Sequence, residues 1–195
     1  MIDLPPTYPL ATQADEPALA DLVDFVGEGL PSYLWARMAR PGEYPRDVGI
    51  RHTSREEGAF LYRNAIVGDD GDGAITALTG YSLSEQSEPI GPDMPVMFVP
   101  VQELENLAPG NWHINVLATY PERRNRGHGA RLTRFAEQLA RAPGCRGPGI
   151  ILPWCQSRRA PVLRESRLSS VHHLSNGEGR LEKSMAEQVA AREDE

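Results

Sequence analysis

Apolar side chains recur at helical spacing in two stretches near the amino terminus. The first covers residues 14–26, and the second runs from Ser32 to Arg40. Because glycine or proline follows each stretch at once, the pattern predicts two short helices. Residues 8–12 alternate in the manner of a short edge strand, whereas residues 41–54 show no clear period and predict a loop.

Alternating and β-branched residues predict four strands farther along the chain. These strands are residues 60–67, 74–83, 112–118 and 149–152. Asp and Gly at residues 69–73 indicate a tight hairpin turn between the first two strands. Two helices are predicted at 101–107 and 130–141, and weaker helical patterns follow near residues 160–168 and from residue 186 onward.

Length and charge limit the class of protein. The chain has 195 residues, which fits a single domain over 1–195, and its net charge of −7 argues against a nucleic-acid binder. The amino terminus shows no signal-peptide pattern, and no apolar run reaches the roughly 20 residues of a membrane span. With two cysteines, Cys145 and Cys155, we expect a reduced, cytoplasmic protein without membrane contact or a bound metal.

The most informative segment is the turn between the strand at 112–118 and the helix at 130–141. Gly127 and Gly129 allow backbone N–H groups to approach a ligand, and the helix behind them adds free N–H groups and the positive end of its dipole. Arginines crowd the same turn in an otherwise acidic chain. These features predict a pyrophosphate-binding turn. The alternatives are a plain strand-to-helix turn and a solvated, arginine-rich helix face.

Arg124, Gly127 and Gly129 match the Arg/Gln-x-x-Gly-x-Gly/Ala motif of the GNAT superfamily of N-acetyltransferases, and a strand precedes and a helix follows as in that family. The element order resembles the family over residues 8–152, and the detailed likeness covers 112–141. The resemblance implies an α/β (α+β) fold with a mixed, mostly antiparallel central sheet that is flanked by helices on both faces. It also implies that the sheet splays after the strand that precedes the turn.

The resemblance implies acetyl-CoA as the cofactor and acyl donor. The strand would bind the pantetheine arm in the manner of an added strand, through the backbone of Val116, Leu117 and Ala118. The turn would hold the pyrophosphate through the backbone of Arg124, Asn125, Arg126, Gly127, His128, Gly129 and Ala130. His128 stands where the family usually has an aliphatic residue, and its side chain fits a structural or partly exposed position.

An N-acetyltransferase needs a base that removes a proton from the attacking ammonium, and the chain offers rival candidates. His113 lies on the strand before the turn, and its ordinary pKa near 6.5 suits proton transfer, directly or through water. Glu105 and Glu103 lie in the predicted helix before that strand. The alternatives are a hydrogen-bonded packing role for His113 and a solvated helix turn for the glutamates.

The expected acceptor is a primary amine on a small molecule or a peptide. Because members of the family wall the acceptor side with their first two helices, the candidate contacts are Glu28, Tyr33, Trp35 and Tyr81. Trp35 also fits a core position, since it recurs with apolar neighbours at helical spacing. The acidic amino-terminal third favours a cationic amine. Association as a homodimer is a further expectation.

The carboxyl-terminal quarter departs from the family pattern. Arg164 occupies the place of a tyrosine that is often the general acid, and arginine does not release its proton at neutral pH. When the possible codons of residues 155–169 are read one nucleotide forward, they permit Ala-Asn-x-x-Ala-Arg-Arg-x-Tyr-Glu-x-x-Gly-Tyr, which is close to the family motif. One hypothesis is therefore a frameshift near Pro153, and the other is a diverged carboxyl end. The nucleotide sequence of the gene distinguishes them.

Two alternatives to an active enzyme stay open. The first is a catalytically impaired, acyl-CoA-binding or sensory module of the same fold, which has kept the pyrophosphate-binding turn and lost its general acid. The second is a structural protein whose turn binds nothing. Release of the thiol from acetyl-CoA in the presence of an amine would exclude both.

Overall fold

The computed structural model describes most of the chain up to residue 153 and one strand beyond it. The described residues are 2–27, 29–55, 62–71, 73–92, 94, 98–141, 144–153 and 170–174. The predicted helices near 160–168 and from residue 186, together with most of the segment that departs from the family pattern, lie outside these ranges. The single domain over the whole chain stays a prediction.

Five α-helices and five strands form within the described ranges. The helices are α1 (Glu16–Val26), α2 (Leu30–Met38), α3 (Pro45–Thr53), α4 (Val99–Asn106) and α5 (His128–Arg141). The strands are β1 (Ile66–Asp69), β2 (Ala74–Ser82), β3 (Trp112–Thr119), β4 (Pro148–Pro153) and β5 (Ser170–Leu174). Short 3₁₀ turns cover Gln13–Asp15, Tyr62–Asn64 and Pro121–Arg123.

The strands form one mixed sheet in the order β1-β2-β3-β4-β5. The first two pairings, β1 with β2 and β2 with β3, are antiparallel, and the next two are parallel. A tight turn joins β1 to β2, where the Asp69 carboxylate accepts the N–H groups of Gly71 and Gly73 at 2.7 and 3.2 Å. The mixed α/β sheet and the hairpin predicted from the sequence are confirmed.

The segment before α1 runs along the outer edge of β1. Leu10 forms an isolated antiparallel bridge with Ile66, and the N–H of Val67 donates to the Pro9 carbonyl at 3.0 Å. Because Pro9 has no N–H of its own, the segment cannot form a continuous ladder. The predicted edge strand over residues 8–12 is therefore reduced to one bridge.

Helices cover both faces of the sheet and bury two separate apolar clusters. On one face, α1 packs on the sheet and α3 packs against α1, with Leu22, Val48 and Val116 among the buried residues. On the other face, the apolar side of α5 packs on Ile114 through Leu132 and neighbouring residues. This arrangement confirms the predicted helices on both faces, and β3 contributes to both clusters.

Helix α3 is the main difference from the sequence prediction, which placed a loop over residues 41–54. Pro45 at the first turn suits a helix start, but the buried side of α3 consists of Val48, Gly49 and Thr53. A Cβ at Gly49 would lie 2.6 Å from the Trp35 ring, so the glycine lets α2 and α3 approach closely. Glycine and threonine give a weak apolar period, and the helix is therefore hidden in the sequence pattern.

Most other elements begin or end within a few residues of their predicted limits. The exception is β1, which begins at Ile66 because residues 62–64 form a 3₁₀ turn instead of a continued strand. None of the helices in the described ranges is long and apolar enough to cross a membrane.

Candidate active site

A β-bulge in β3 changes the direction of its side chains. Gly80 pairs with Ile114 and Thr79 with Val116, so Asn115 is an extra residue opposite the neighbouring strand. Trp112 and Ile114 belong to the cluster under α5, whereas Val116 and Ala118 belong to the cluster under α1 and α3. The regular alternation of faces along a strand therefore holds up to Ile114 and reverses from Val116 onward.

The sheet opens at the same place. The pairing of β3 with β4 ends at Ile114 and Ile150, and residues 115–119 have no β4 partner in the described part of the chain. On their other side these residues remain paired with β2. The predicted splay thus begins inside the strand at the bulge, rather than after it. Val116, Leu117 and Ala118 lie along an open strand edge that can accept an extended ligand.

The turn of residues 124–130, which we call the amide turn, follows this open edge. Asn125 and Gly127 have φ of 60° and 83°, in the left-handed region. Apart from its two chain neighbours, no described residue has an atom within 4 Å of a Cβ built at Gly127. The N–H groups of residues 125–130 have no hydrogen-bond acceptor among the described residues. Together with the amino terminus of α5, they form a surface of free donors suited to an anion.

Arginines around the amide turn differ in how far their charge is neutralised. Arg123 forms a salt bridge with Asp70. The guanidinium of Arg124 lies 4.9 Å from the centre of the Phe25 ring, and that of Arg131 lies above the Tyr8 ring. Within the described ranges, Arg124, Arg126 and Arg131 form no ion pair, so their charges are available to a ligand.

His128 has a structural role at the start of α5. Its Nδ1 is hydrogen-bonded to the hydroxyl of Tyr8 at 2.7 Å. Burial and nearby arginines lower the pKa of His128, which keeps the ring neutral at neutral pH. The side chain ties the amino-terminal segment to α5, as the structural interpretation predicted, while the backbone N–H stays in the amide turn.

Tyr81, Glu105 and His113 meet at the other end of β3, and we call them the carboxylate cluster. Tyr81 and His113 are cross-strand partners whose rings lie 5.3 Å apart at 65°. Helix α4 brings in Glu105, whose Oε1 accepts the Tyr81 hydroxyl at 2.6 Å and lies 3.9 Å from His113 Nε2. The structure thus brings together the two candidate catalytic residues and one candidate acceptor contact. Glu103, the rival base, is exposed on α4.

Burial sets the charges of the carboxylate cluster. It raises the pKa of Glu105, and the negative charge of Glu88 raises it further, although the hydrogen bond from Tyr81 acts in the opposite direction. Burial lowers the pKa of His113 to about 4 and raises the pKa of Tyr81. At neutral pH the histidine is therefore neutral, and Glu105 binds a proton more readily than an exposed carboxyl group does.

Two buried polar atoms beside the bulge have no hydrogen-bond partner among the described residues. The bulge itself was not predicted from the sequence. The Nδ2 of Asn115 and the Oγ1 of Thr79 make no hydrogen bond in the described part of the chain. The presence of Gly80 inside the β2 pattern could have indicated the bulge. In the structure a Cβ at this position would collide with the His113 carbonyl and the Trp112 ring. A glycine inside a strand pattern indicates a bulge or a close approach of another backbone.

The candidate acceptor contacts of α2 lie apart from the carboxylate cluster. The Tyr33 hydroxyl accepts a hydrogen bond from Arg37 at 3.0 Å on the surface. Trp35 is only 7% exposed and packs in the core against Gly49. An acceptor role for Trp35 does not fit this position, because the protein itself already fills the space around the ring. Glu28 lies outside the described residues.

Comparisons with known proteins bear on the family and the fold of the chain. The model of the Acetyltransferase (GNAT) family matches residues 36–156. A solved acetyltransferase structure superposes with a TM-score of 0.56 and 14% identity, over 80% of this chain and 86% of that one. An N-acetyltransferase from Staphylococcus aureus Mu50 gives a TM-score of 0.43 and 16% identity, over 68% of this chain and 75% of that one. No curated protein matches the chain significantly.

The chain belongs to the GNAT family of acetyltransferases, since the family model covers more than half of its length. The likeness to the solved acetyltransferase, at 14% identity, supports the fold. The protein is accordingly a transferase, of a family that moves acyl groups from acyl-CoA.

Proposed function

We propose that this transferase moves the acetyl group of acetyl-CoA to a primary amine of a small molecule or peptide. The observation that supports this most is the presence of the amide turn and the carboxylate cluster at opposite ends of β3. His113 and Asn115 are separated by roughly 7 Å along the strand, and the sheet opens between them and the turn. A donor bound along the open edge would thus end close to the cluster.

The residues of the open edge and the amide turn fit a CoA ligand. Val116, Leu117 and Ala118 present an unpaired strand edge to the pantetheine arm. The N–H groups of residues 125–130 and the side chain of Arg126, which have no acceptor or ion-pair partner among the described residues, would bind the pyrophosphate. When bound, acetyl-CoA supplies a thioester whose acyl group passes to the amine nitrogen as the thiol leaves.

Glu105 is the proposed general base. An amine attacks a carbonyl carbon only after its ammonium form has lost a proton, and a carboxyl group with a raised pKa is better matched to accept it. Tyr81 holds Oε1 of the carboxylate, so the second oxygen is free to face the ammonium. The Glu105 carboxylate gains this proton and then releases it to solvent.

His113 has a positioning role in this scheme. With a pKa of about 4, its neutral ring is a weak proton acceptor, and at 3.9 Å its Nε2 is too distant from Glu105 for a hydrogen bond. The ring packs against Tyr81 and so holds the hydroxyl that orients Glu105. The unpartnered Nδ2 of Asn115, at the bulge, offers a hydrogen-bond donor to the acyl carbonyl oxygen.

Binding and turnover measured separately would test the proposed function. We expect CoA and acetyl-CoA to raise the melting temperature, and acetyl-CoA with a panel of primary amines to release free thiol above the rate of hydrolysis. Failure of both ligands to stabilise the protein would contradict CoA binding. Matched tertiary amines, which cannot form a stable amide, serve as the control for turnover.

A second function, binding of acyl-CoA without turnover, is favoured by Arg164 in the place of the usual general acid. Stabilisation by CoA without thiol release from any amine would support it. The cytoplasmic location and the homodimer stay predictions.

A further inference from the structure

A cavity of about 230 Å³, open to solvent on one side, lies between the end of β2, residues 83–88 and helix α4. Tyr81 and Glu105 form part of its wall, so the cavity adjoins the carboxylate cluster. Hydroxyl and amide side chains dominate the remaining wall, namely Ser82, Ser84, Gln86, Ser87, Gln102 and Asn106. We call this space the polar cavity.

The size of the polar cavity suits a small molecule. A cavity of roughly 150 Å³ holds benzene, so a volume about one half larger accommodates a ligand of roughly ten non-hydrogen atoms. The wall is more polar than apolar, and its exposed side chains offer hydrogen-bond partners to a ligand on several sides. The cavity therefore favours a small, hydrophilic ligand.

Two carboxylates at the polar cavity have no basic partner among the residues that the structure describes. Glu88 and Glu105 both line it, and their charges interact, since Glu88 acts on the pKa of Glu105. Neither forms an ion pair with an arginine or lysine in the described ranges. Glu85, three residues from Glu88 and outside the wall, is by contrast paired with Arg146 at 3.1 Å. The cavity thus keeps a negative charge that a cation would neutralise.

Helix α4 fixes the backbone that carries Glu88. The side-chain oxygen of Asn106 accepts the Glu88 N–H at 2.8 Å, and its Nδ2 donates to the Glu88 carbonyl at 2.8 Å. These two bonds hold the segment against the same helix that carries Glu105. The two carboxylates are therefore on parts of the chain that are tied together.

We propose that the polar cavity is the acceptor site and that Glu88 selects a small hydrophilic amine with a second positive charge. This inference rests on the proposed function, and in it Glu105 faces the reacting ammonium while Glu88 pairs with the second cation. Glu88 is a specificity residue: it pairs with the second cation and acts on the proton transfer only through the pKa of Glu105.

The probe for this inference is 1,4-diaminobutane, with 1-aminobutane as the matched monoamine. Calorimetric titration measures binding to the wild-type protein, to Glu88→Gln and to Glu85→Gln, the control for loss of a nearby charge outside the wall. We expect the wild type to bind the diamine and Glu88→Gln to bind it roughly tenfold more weakly, with Glu85→Gln unchanged. Affinity for the monoamine should be the same in all three proteins.

Turnover gives a second readout where acetylation occurs. The ratio of kcat/KM for the diamine to that for the monoamine should fall about tenfold in Glu88→Gln, and the ratio cancels any change in rate that both amines share through the pKa of Glu105. Diamine binding that is absent, or equally strong in the wild type and Glu88→Gln, would overturn the inference. Diamine binding that depends on Glu88 but leads to no acetylation would support the cavity assignment and count against the proposed function alone.

Discussion

The amide turn and the carboxylate cluster share strand β3 but are built in different ways. Residues 124–130 follow one another in the chain and offer mostly backbone N–H groups at the surface. Tyr81, Glu105 and His113 come from three elements and act through side chains that burial has shifted in pKa. In the proposed function, binding at the turn would be spread over many weak donors, whereas the chemistry at the cluster would depend on one carboxylate. A single substitution in the cluster should therefore lower the activity more than a single substitution in the turn weakens CoA binding.

Glu105→Gln should give the largest effect. Loss of the general base should lower kcat by about 100-fold or more, while the affinity for CoA stays within about twofold of the wild type. Steady-state thiol release and calorimetric titration of CoA measure the two quantities. Glu103→Gln, on the exposed side of the same helix, is the control and should keep full activity. An active Glu105→Gln beside an inactive Glu103→Gln would reverse the assignment of the base.

The second effect is a dependence of the free energy of unfolding on pH, caused by His113 in the cluster. The pKa of His113 is about 4 in the folded protein and near 6.5 in the unfolded chain, so protons bind preferentially to the unfolded state between these values. The neutral, buried His113 ring therefore contributes to the free energy of unfolding. This contribution is complete above pH 6.5, and roughly 2 kcal/mol of it is lost between pH 7.5 and pH 5. The raised pKa of Glu105 has the opposite effect on the free energy of unfolding, because it favours protonation of the folded state as the pH falls. A variant that keeps Glu105 keeps this effect, so it cancels in a comparison with the wild type.

His113→Gln should therefore lose less stability on acidification than the wild type, by roughly 2 kcal/mol. Urea denaturation of both proteins at pH 7.5 and 5 provides the comparison. Equal losses in the two proteins would mean that the ring becomes protonated in the folded state without penalty.

A smaller effect is expected at the amide turn. Gly127→Ala should weaken CoA binding by roughly tenfold, because a Cβ at the left-handed position disturbs the direction of the free N–H groups. Gly42→Ala is a matched control, since Gly42 has the same φ of 83° and equally open surroundings. Both variants should lose about 1 kcal/mol of stability, and only Gly127→Ala should lose CoA affinity. Similar CoA affinities in the two variants would exclude the turn as the binding site.

The smallest effect should come from a single exposed charge. Arg126→Ala should raise the Kd for CoA by about threefold at low salt, and the difference should shrink at 0.5 M salt, where exposed charges are screened over about 4 Å. Arg134→Ala, on the exposed side of α5, should leave the Kd unchanged. A salt-independent effect of Arg126→Ala would indicate a packing contribution instead of a charge.

The amide turn could be predicted from the sequence because its features are local. The carboxylate cluster could not be predicted as a unit because its residues are far apart along the chain. Gly127 and the amphipathic period of α5 lie within twenty residues, so each is visible in a short window. Tyr81 and Glu105 are 24 residues apart, and their hydrogen bond depends on how the intervening segment folds back. Both residues were candidates from the sequence, but in separate roles, and the structure joins them.

Elements without a strong apolar period were not predicted from the sequence. Helix α3 packs through Gly49 against Trp35, which leaves few apolar positions in its own sequence. The bulge at Asn115 depends on the relation between two strands, which a single-strand pattern cannot express. For the same reason Trp35, read from α2 alone, fitted an acceptor contact as well as a core position.

The open edge of β3 has a consequence for handling the protein. Backbone groups of residues 115–119 face no β4 partner within the described ranges, and an unpaired edge of this kind is a template for pairing with another chain. The ligand-free protein should therefore self-associate more readily on storage or concentration than the protein kept with CoA. Light scattering during concentration, with and without CoA, would reveal whether the ligand acts as a protective cover for the edge.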